Sequence, residues 1–133
     1  MAVNNIIKRI QNIMRQDAGI NGDAQRIEQM TWMFFLKVYD TQEETWEYKD
    51  ENYKSIIPED LRWRKWAVDE KDGEALTGEA LLSFVNEKLF PTLKNLPIDA
   101  NTPRAKSIVQ ETFADLNQYM KNGTLLRQVV NIV

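Results

Sequence analysis

Hydrophobic residues recur at helical spacing in several stretches of the chain. In "NNIIKRIQNIM", near the start, five apolar side chains fall on one helical stripe, and Lys8 and Arg9 lie off it. The same spacing recurs at Leu81, Leu82, Val85 and Leu89, and at Val109, Phe113, Leu116 and Met120. No convincing pair of alternating strand patterns appears. The pattern therefore predicts an all-α fold, a small globular bundle of about five or six helices.

One stretch, from Met30 to Tyr39, is apolar on all sides of the predicted helix. Such a helix is typical of the buried centre of a bundle. The "GING" before it has neither the glycine spacing nor the preceding strand of a phosphate-binding loop. We interpret it as a turn that leads into the helix, with Asn21 or Asp23 as the N-cap.

The breaks between helices are predicted from capping and turn residues. Residues 40–60 mix acidic and aromatic side chains, so we expect the central helix to fray near Trp46 and a long, aromatic-rich connection to follow. Further signals are an acidic turn at Asp72-Gly73, an N-cap at Thr77, a short turn begun by Pro91 and closed by Pro97, an N-cap and first helical residue at Thr102-Pro103, and a helix stop with Gly123 outside it.

The composition limits the chemistry that the chain can perform. Its 133 residues fit one domain, 1–133, and they include no histidine and no cysteine. Catalytic triads that need histidine, and thiolate metal sites, cannot be built from these residues. The net charge is −3, and thirteen of the 20 acidic residues lie between residues 40 and 79. A basic face elsewhere on the surface is therefore compatible with the sequence.

The expected cellular location of the protein follows from the absence of targeting patterns in the sequence. The isoleucines at the start are broken by polar residues, unlike a signal peptide, and the longest apolar block is far shorter than the roughly 20 residues that span a bilayer. We predict a cytoplasmic protein without membrane contact.

Two stretches carry candidate functional residues. Glu43 and Glu47 are at helical spacing, but a solvated charged face is the favoured interpretation, and we assign no catalytic, cofactor-binding or metal-binding residue. "LRWRKW" interleaves cations with two tryptophans. Arg62, Arg64 and Lys65 are the candidate contacts to DNA or a partner. We expect the tryptophans to anchor the connection to the core instead.

Three blocks in order, "MRQDAGINGDAQRIEQMTWMFFLKVYD", "IPEDLRWRKWA" and "LTGEALLSFVNEKLFPTLKNL", resemble the N-terminal helical domain of the modification subunit of type I restriction-modification enzymes, the HsdM family. The resemblance covers essentially the whole chain. It implies a parent protein that transfers a methyl group from S-adenosylmethionine to adenine N6 in DNA. It also implies a specificity subunit and a second modification subunit as partners, and a restriction subunit that can join them.

In that family the helical domain is implicated in closing around DNA and in subunit contacts. The catalytic Asn-Pro-Pro-aromatic motif, which holds the flipped adenine, and the glycine-containing cofactor loop do not occur in this chain. The resemblance therefore implies an accessory domain with no cofactor of its own. It also implies that "QVVNIV" lies where the family continues into its methyltransferase domain.

A different class of function remains open on the sequence alone. The negative net charge favours a stand-alone helical protein-interaction domain with no direct DNA contact. Its distinguishing feature would be a sizeable exposed apolar patch. A free-standing enzyme is the least favoured reading.

Overall fold

The computed structural model describes residues 2–67 and 76–133, with side chains from residue 5 onward. The predicted turn at Asp72-Gly73 lies outside the described residues. Over the described part the chain is helical without strands, in the order α1 (Ala2–Met14), α2 (Asp23–Lys49), a 3-10 turn (Glu59–Leu61), α3 (Trp63–Trp66), α4 (Gly78–Ser83), a π-helical segment (Phe84–Leu89), α5 (Phe90–Lys94), α6 (Arg104–Ala114) and α7 (Gly123–Ile132).

The all-α prediction is confirmed. The run from Gly78 to Lys94 is continuous, and counting it once gives six helices among the described residues. None of the described helices is both long and apolar enough to cross a bilayer.

Helix α1 is amphipathic, as its spacing predicts. Ile10 and Met14 are fully buried, while Lys8 and Arg9 are exposed. The helix ends at Met14, and the following turn brings Gly22 to a φ of 90°, a conformation that side-chain-bearing residues rarely adopt. Gly22 is therefore the N-cap of α2, and the prediction of Asn21 or Asp23 as the N-cap is wrong.

Helix α2 is the central element, about 40 Å long at 1.5 Å per residue. Trp32, Met33 and Leu36 are buried. The predicted burial of residues 30–39 on all sides is wrong, because Val38 is 57% exposed. Ile27, which precedes that stretch on the same helix, is exposed to the same extent. One apolar face of this helix therefore lies at the surface.

The end of α2 differs slightly from prediction. The helix continues past Trp46 to Lys49. Trp46 packs against Tyr39, with ring centroids 5.6 Å apart, and against Tyr53 in the following connection, 5.9 Å apart. The connection that follows, residues 50–58, begins later than predicted and contains one aromatic residue, Tyr53, because Trp46 and Tyr48 belong to the helix.

Pro91 does not start a separate turn. Proline lacks an amide hydrogen, and its ring crowds the carbonyl four residues earlier, here that of Glu87. Glu87 lies in the π-helical segment, whose wider turn accommodates the proline within a continuous helix. Thr77 occupies the N-cap position of α4 but makes no side-chain capping hydrogen bond.

Helix α6 is shorter at both ends than predicted. It begins at Arg104, and the Thr102 hydroxyl bonds to Asp99 instead of capping the helix. It ends at Ala114, so Leu116 and Met120 lie in a non-helical segment.

Buried polar side chains compete for the backbone of that segment. The amide of Tyr119 donates to Gln29 Oε1 (2.8 Å), and the amides of Lys121 and Asn122 donate to the Asp17 carboxylate (2.9 Å each). These bonds replace the helical ones.

Gly123 begins α7 instead of following a helix stop. Asn122 is the N-cap, and its side chain accepts from the amide of Leu125. A Cβ on Gly123 would lie 1.8 Å from the carbonyl oxygen of Gly78, so the glycine permits α4 and α7 to pack closely.

The core is joined by aromatic side chains from several helices. Trp32 of α2 packs against Trp66 of α3 (6.4 Å between centroids) and edge-on against Phe90 of α5 (5.1 Å). Phe90 in turn meets Phe113 of α6 at 5.3 Å. Aromatic pairs of this geometry contribute beyond their buried area, so the ring chain fixes α3, α5 and α6 on α2.

Candidate functional site

The tryptophans of the "LRWRKW" stretch belong to the core. Trp63 and Trp66 are buried, with their ring centroids 5.1 Å apart. The Nε1 of Trp66 donates to the carbonyl of Leu61 at 3.0 Å. The expectation that these rings anchor the connection is confirmed, and they are not available for stacking on bases.

Arg62 is held inside the domain by three carboxylates. Its guanidinium pairs with Glu47, donates to Glu59 at 3.2 Å, and places Nε 3.6 Å from Glu43 Oε1. Only 9% of its side chain is exposed. Burial alone lowers the pKa of Arg62, but the hydrogen bonds to Glu47 and Glu59 outweigh it and raise the pKa above its ordinary value.

Arg64 is paired on the other side of the same cluster. Its Nε donates to Asp40 Oδ1 at 2.9 Å, and its Nη1 donates to Glu47 Oε2 at 3.1 Å. Burial lowers the pKa of Arg64, but the bonds to these two carboxylates raise it on balance. Glu47 thus bridges both arginines, and their hydrogen bonds lower its pKa below the ordinary value.

Lys65 is the most accessible of the three candidate cations. Its side chain is 51% exposed, with Nζ 3.5 Å from Glu59 Oε1, an ion pair that water screens. Contact of Arg62, Arg64 and Lys65 with DNA or a partner stays a prediction. The geometry ranks Lys65 first, because the two arginines would have to leave internal carboxylates to reach a phosphate.

The prediction of a solvated acidic face is wrong for Glu43. This residue is fully buried, and its Oε2 accepts a hydrogen bond from the Tyr53 hydroxyl at 2.7 Å. Burial and this bond raise the pKa of Tyr53, and burial together with the charge of Glu43 raises that of Tyr39. Glu43 and Glu47 both face Arg62 and are occupied by that pairing.

Sequence reasoning missed the polar residues that organise the far side of the domain. Asp17 accepts from three backbone amides, including that of Gly19 at 2.7 Å, and Arg127 donates to the carbonyls of Trp66, Ala67 and Leu76. An aspartate two residues before a glycine is a local turn signal. The carbonyls bound by Arg127 and the other two amides bound by Asp17 lie more than 50 residues away in the sequence, so no local sequence pattern indicates them.

A second surface feature is an apolar groove that lies along α2, with Ile7 contributed by α1, and has a volume of about 600 Å³. Its apolar lining is Ile7, Ile27, Met30, Phe34, Phe35 and Val38. The polar members of the lining are Thr31, Tyr39 and Gln42. We call this surface the α1–α2 groove.

The groove does not fit S-adenosylmethionine. That cofactor presents ribose hydroxyls and a charged amino-acid group, which proteins hold with carboxylates and backbone amides. The lining of the groove includes no carboxylate. Among residues 2–67 and 76–133, no group of three or more acidic side chains is arranged to hold a metal ion either.

The described part of the chain is an all-α domain in which Arg62 and Arg64 pair with internal carboxylates and an apolar groove lies at the surface. The comparison with family models identifies this helical domain. The model of the HsdM N-terminal domain family matches residues 3–133, and the chain belongs to that family.

The most informative relatives are subunits of type I restriction enzymes. The chain is 53% identical over 133 residues to the type I restriction enzyme EcoEI methylase subunit of Escherichia coli, covering 98% of this chain and 26% of that protein. It is also similar in structure to a modification subunit assigned to a type I restriction enzyme of Vibrio vulnificus YJ016. The TM-score is 0.82 at 31% identity, over 97% of this chain and 29% of that one.

A second structural relative comes from an assembled system. It is a chain of a type I restriction-modification system solved to explain complex assembly and conformational transition, with a TM-score of 0.80 and 32% identity. The match covers 98% of this chain and 25% of that chain. The chain therefore spans about a quarter of the length of the relatives it matches.

Proposed function

We propose that residues 1–133 form a single accessory domain at the N-terminal end of a longer methylase subunit in a type I restriction-modification system. The observation that carries this proposal is the match of the whole chain to the HsdM N-terminal domain. The complete subunit would transfer a methyl group from S-adenosylmethionine to adenine N6 of DNA, in the cytoplasm. The helical domain would contribute to assembly and to holding DNA, without reacting groups of its own.

The partners of the complete subunit follow from the same proposal. They would be DNA, a specificity subunit, a second methylase subunit and a restriction subunit. Similarity to a chain described for complex assembly supports a role in an assembly of this kind. Cofactor binding would belong to the remainder of the subunit, because the α1–α2 groove offers no carboxylate to the cofactor.

Calorimetric titration with S-adenosylmethionine tests whether the cofactor binds to the remainder of the subunit and not to residues 1–133. We expect the full-length subunit to bind the cofactor and residues 1–133 alone to show no binding heat. Binding by residues 1–133 would contradict the accessory role. Failure of the complete, folded subunit to bind would contradict the methylase assignment.

For DNA contact, Lys65 is the residue to test. In the full complex we expect Lys65→Gln to weaken DNA affinity at low salt and to reduce the salt dependence, because one phosphate contact contributes a slope of roughly 0.9. The control is Lys121→Gln, another exposed lysine. Equal DNA affinity and equal salt slopes for the two variants would remove Lys65 from the DNA-binding surface.

The protein-interaction alternative is also supported by a specific observation. Its distinguishing feature, an exposed apolar patch, is present as the α1–α2 groove. Docking and DNA holding are compatible in one accessory domain, and the groove supports the docking part.

A further inference from the structure

The α1–α2 groove has the dimensions of a site for a helix. Along α2 its lining residues Ile27, Phe34, Val38 and Gln42 fall at offsets of 0, 7, 11 and 15, one face of the helix. At 1.5 Å per residue this face is about 22 Å long, close to four helical turns. Amphipathic helices dock in grooves of this kind by placing an apolar stripe along them.

The groove is accessible as well as apolar. Ile27 and Val38 are each 57% exposed and belong to its lining. Isolated exposed apolar residues are ordinary, but these two lie on one continuous face with Phe34 between them. Covering this face would remove apolar surface from water on both partners.

The size of the groove argues for an attached occupant. A stable interface between independent proteins buries at least about 1,200 Å² in total, whereas this groove accommodates the face of one short helix. A segment of the same polypeptide needs far less area, because the tether holds it at a high effective concentration.

Helix α7 packs against α1, which contributes Ile7 to the groove lining. Asp17, just after α1, binds the amides of Lys121 and Asn122, so α7 begins beside the end of α1. The two helices also contact each other. The last helix of the described chain is therefore held on one of the two helices that line the groove.

We propose that the α1–α2 groove binds the apolar face of an amphipathic helix that follows residue 133 in the same methylase subunit. This inference rests on the proposed function, in which residues 1–133 are the first part of a longer chain. The matched relatives support it, since about three quarters of their length lies outside the matched region. The docked helix would fix the orientation of this domain on the rest of the subunit.

Photocrosslinking in the full-length subunit tests the occupant. A benzoylphenylalanine replaces Val38, and in a second protein Ile27, since both side chains are largely exposed and tolerate the change. After irradiation, mass spectrometry identifies the joined peptides. The matched control carries the same group in place of Tyr48, which lies on α2 outside the groove and is 92% exposed.

We expect both groove positions to crosslink, within one polypeptide, to a peptide beyond residue 133, and the Tyr48 position not to reach that peptide. Val38→Asp in the Ile27 crosslinking protein should abolish the crosslink, and Tyr48→Asp should leave it intact. A product of twice the subunit mass, a crosslink to another subunit, or no product beyond residue 133 would each overturn the proposal. Because the assay needs no methyl transfer, its failure is separable from failure of the proposed function.

Discussion

At the scale of single residues, Arg62 shows how the surroundings of a side chain determine whether it binds a ligand or stabilises the fold. In the sequence, Arg62 is a cation beside a tryptophan. In the structure it is buried against Glu43, Glu47 and Glu59. Removing it would take away the cation that lies 3.6 Å from the fully buried Glu43.

We therefore expect Arg62→Ala to lower the free energy of unfolding of this chain by roughly 3 kcal/mol, the cost of breaking a buried ion pair. Lys65→Ala, which removes a half-exposed cation from the same stretch, should cost less than about 1 kcal/mol. Urea unfolding followed by circular dichroism measures both. Equal stabilities of the two variants would show that the Arg62 pairs contribute nothing.

The pH dependence of stability has a defined sign at Glu47. Hydrogen bonds from Arg62 and then Arg64 hold its pKa in the folded chain below the ordinary value of 4.5. The resulting stabilisation is present above pH 4.5 and is lost as the pH falls through the lowered pKa. Glu47→Gln should flatten the decline of the free energy of unfolding below pH 4.5. The same decline of the free energy of unfolding below pH 4.5 in both proteins would contradict this role of Glu47.

At the scale of elements, the close packing of α4 and α7 depends on Gly123. A methyl group there would overlap the backbone of Gly78, which cannot yield as a flexible side chain would. We expect Gly123→Ala to destabilise the chain by about 1–3 kcal/mol in urea unfolding, as overpacking does. The control is Thr124→Ala at the exposed neighbouring position. Equal unfolding midpoints would place α4 and α7 further apart than the structure shows.

At the level of single helices, the spacing of apolar residues predicted features that depend on nearby residues, and it missed those that depend on distant ones. The spacing predicted the side chains that are most deeply buried, because side-chain periodicity is a property of the helix itself. They are Ile10 and Met14 in α1, and Leu81, Val85 and Leu89 further along. Other members of the two stripes, such as Ile7 and Leu82, are only partly buried. The end of α6 was missed because its cause lies about 100 residues away, in Asp17 and Gln29. The groove was missed for a related reason, since nothing in an all-apolar helix says which face its neighbours leave uncovered.

At the scale of the whole molecule, the structure separates a buried cluster of charges from an exposed apolar groove. Arg62 and Arg64, two of the candidate DNA contacts, are paired with the carboxylates of Glu47 and Asp40. These ion pairs stabilise the contact of α3 with α2. The α1–α2 groove is left as the surface most suited to docking. This division fits an accessory domain whose contribution is positional.

The most direct measurement is the amount of N6-methyladenine formed by the complex of the full-length methylase and specificity subunits, compared with the same complex lacking residues 1–133. We predict methylation by the complete complex and its loss on truncation, with cofactor binding by the truncated subunit retained. Equal methylation by both complexes would contradict the account, because the domain would then be dispensable for positioning the subunit and its DNA.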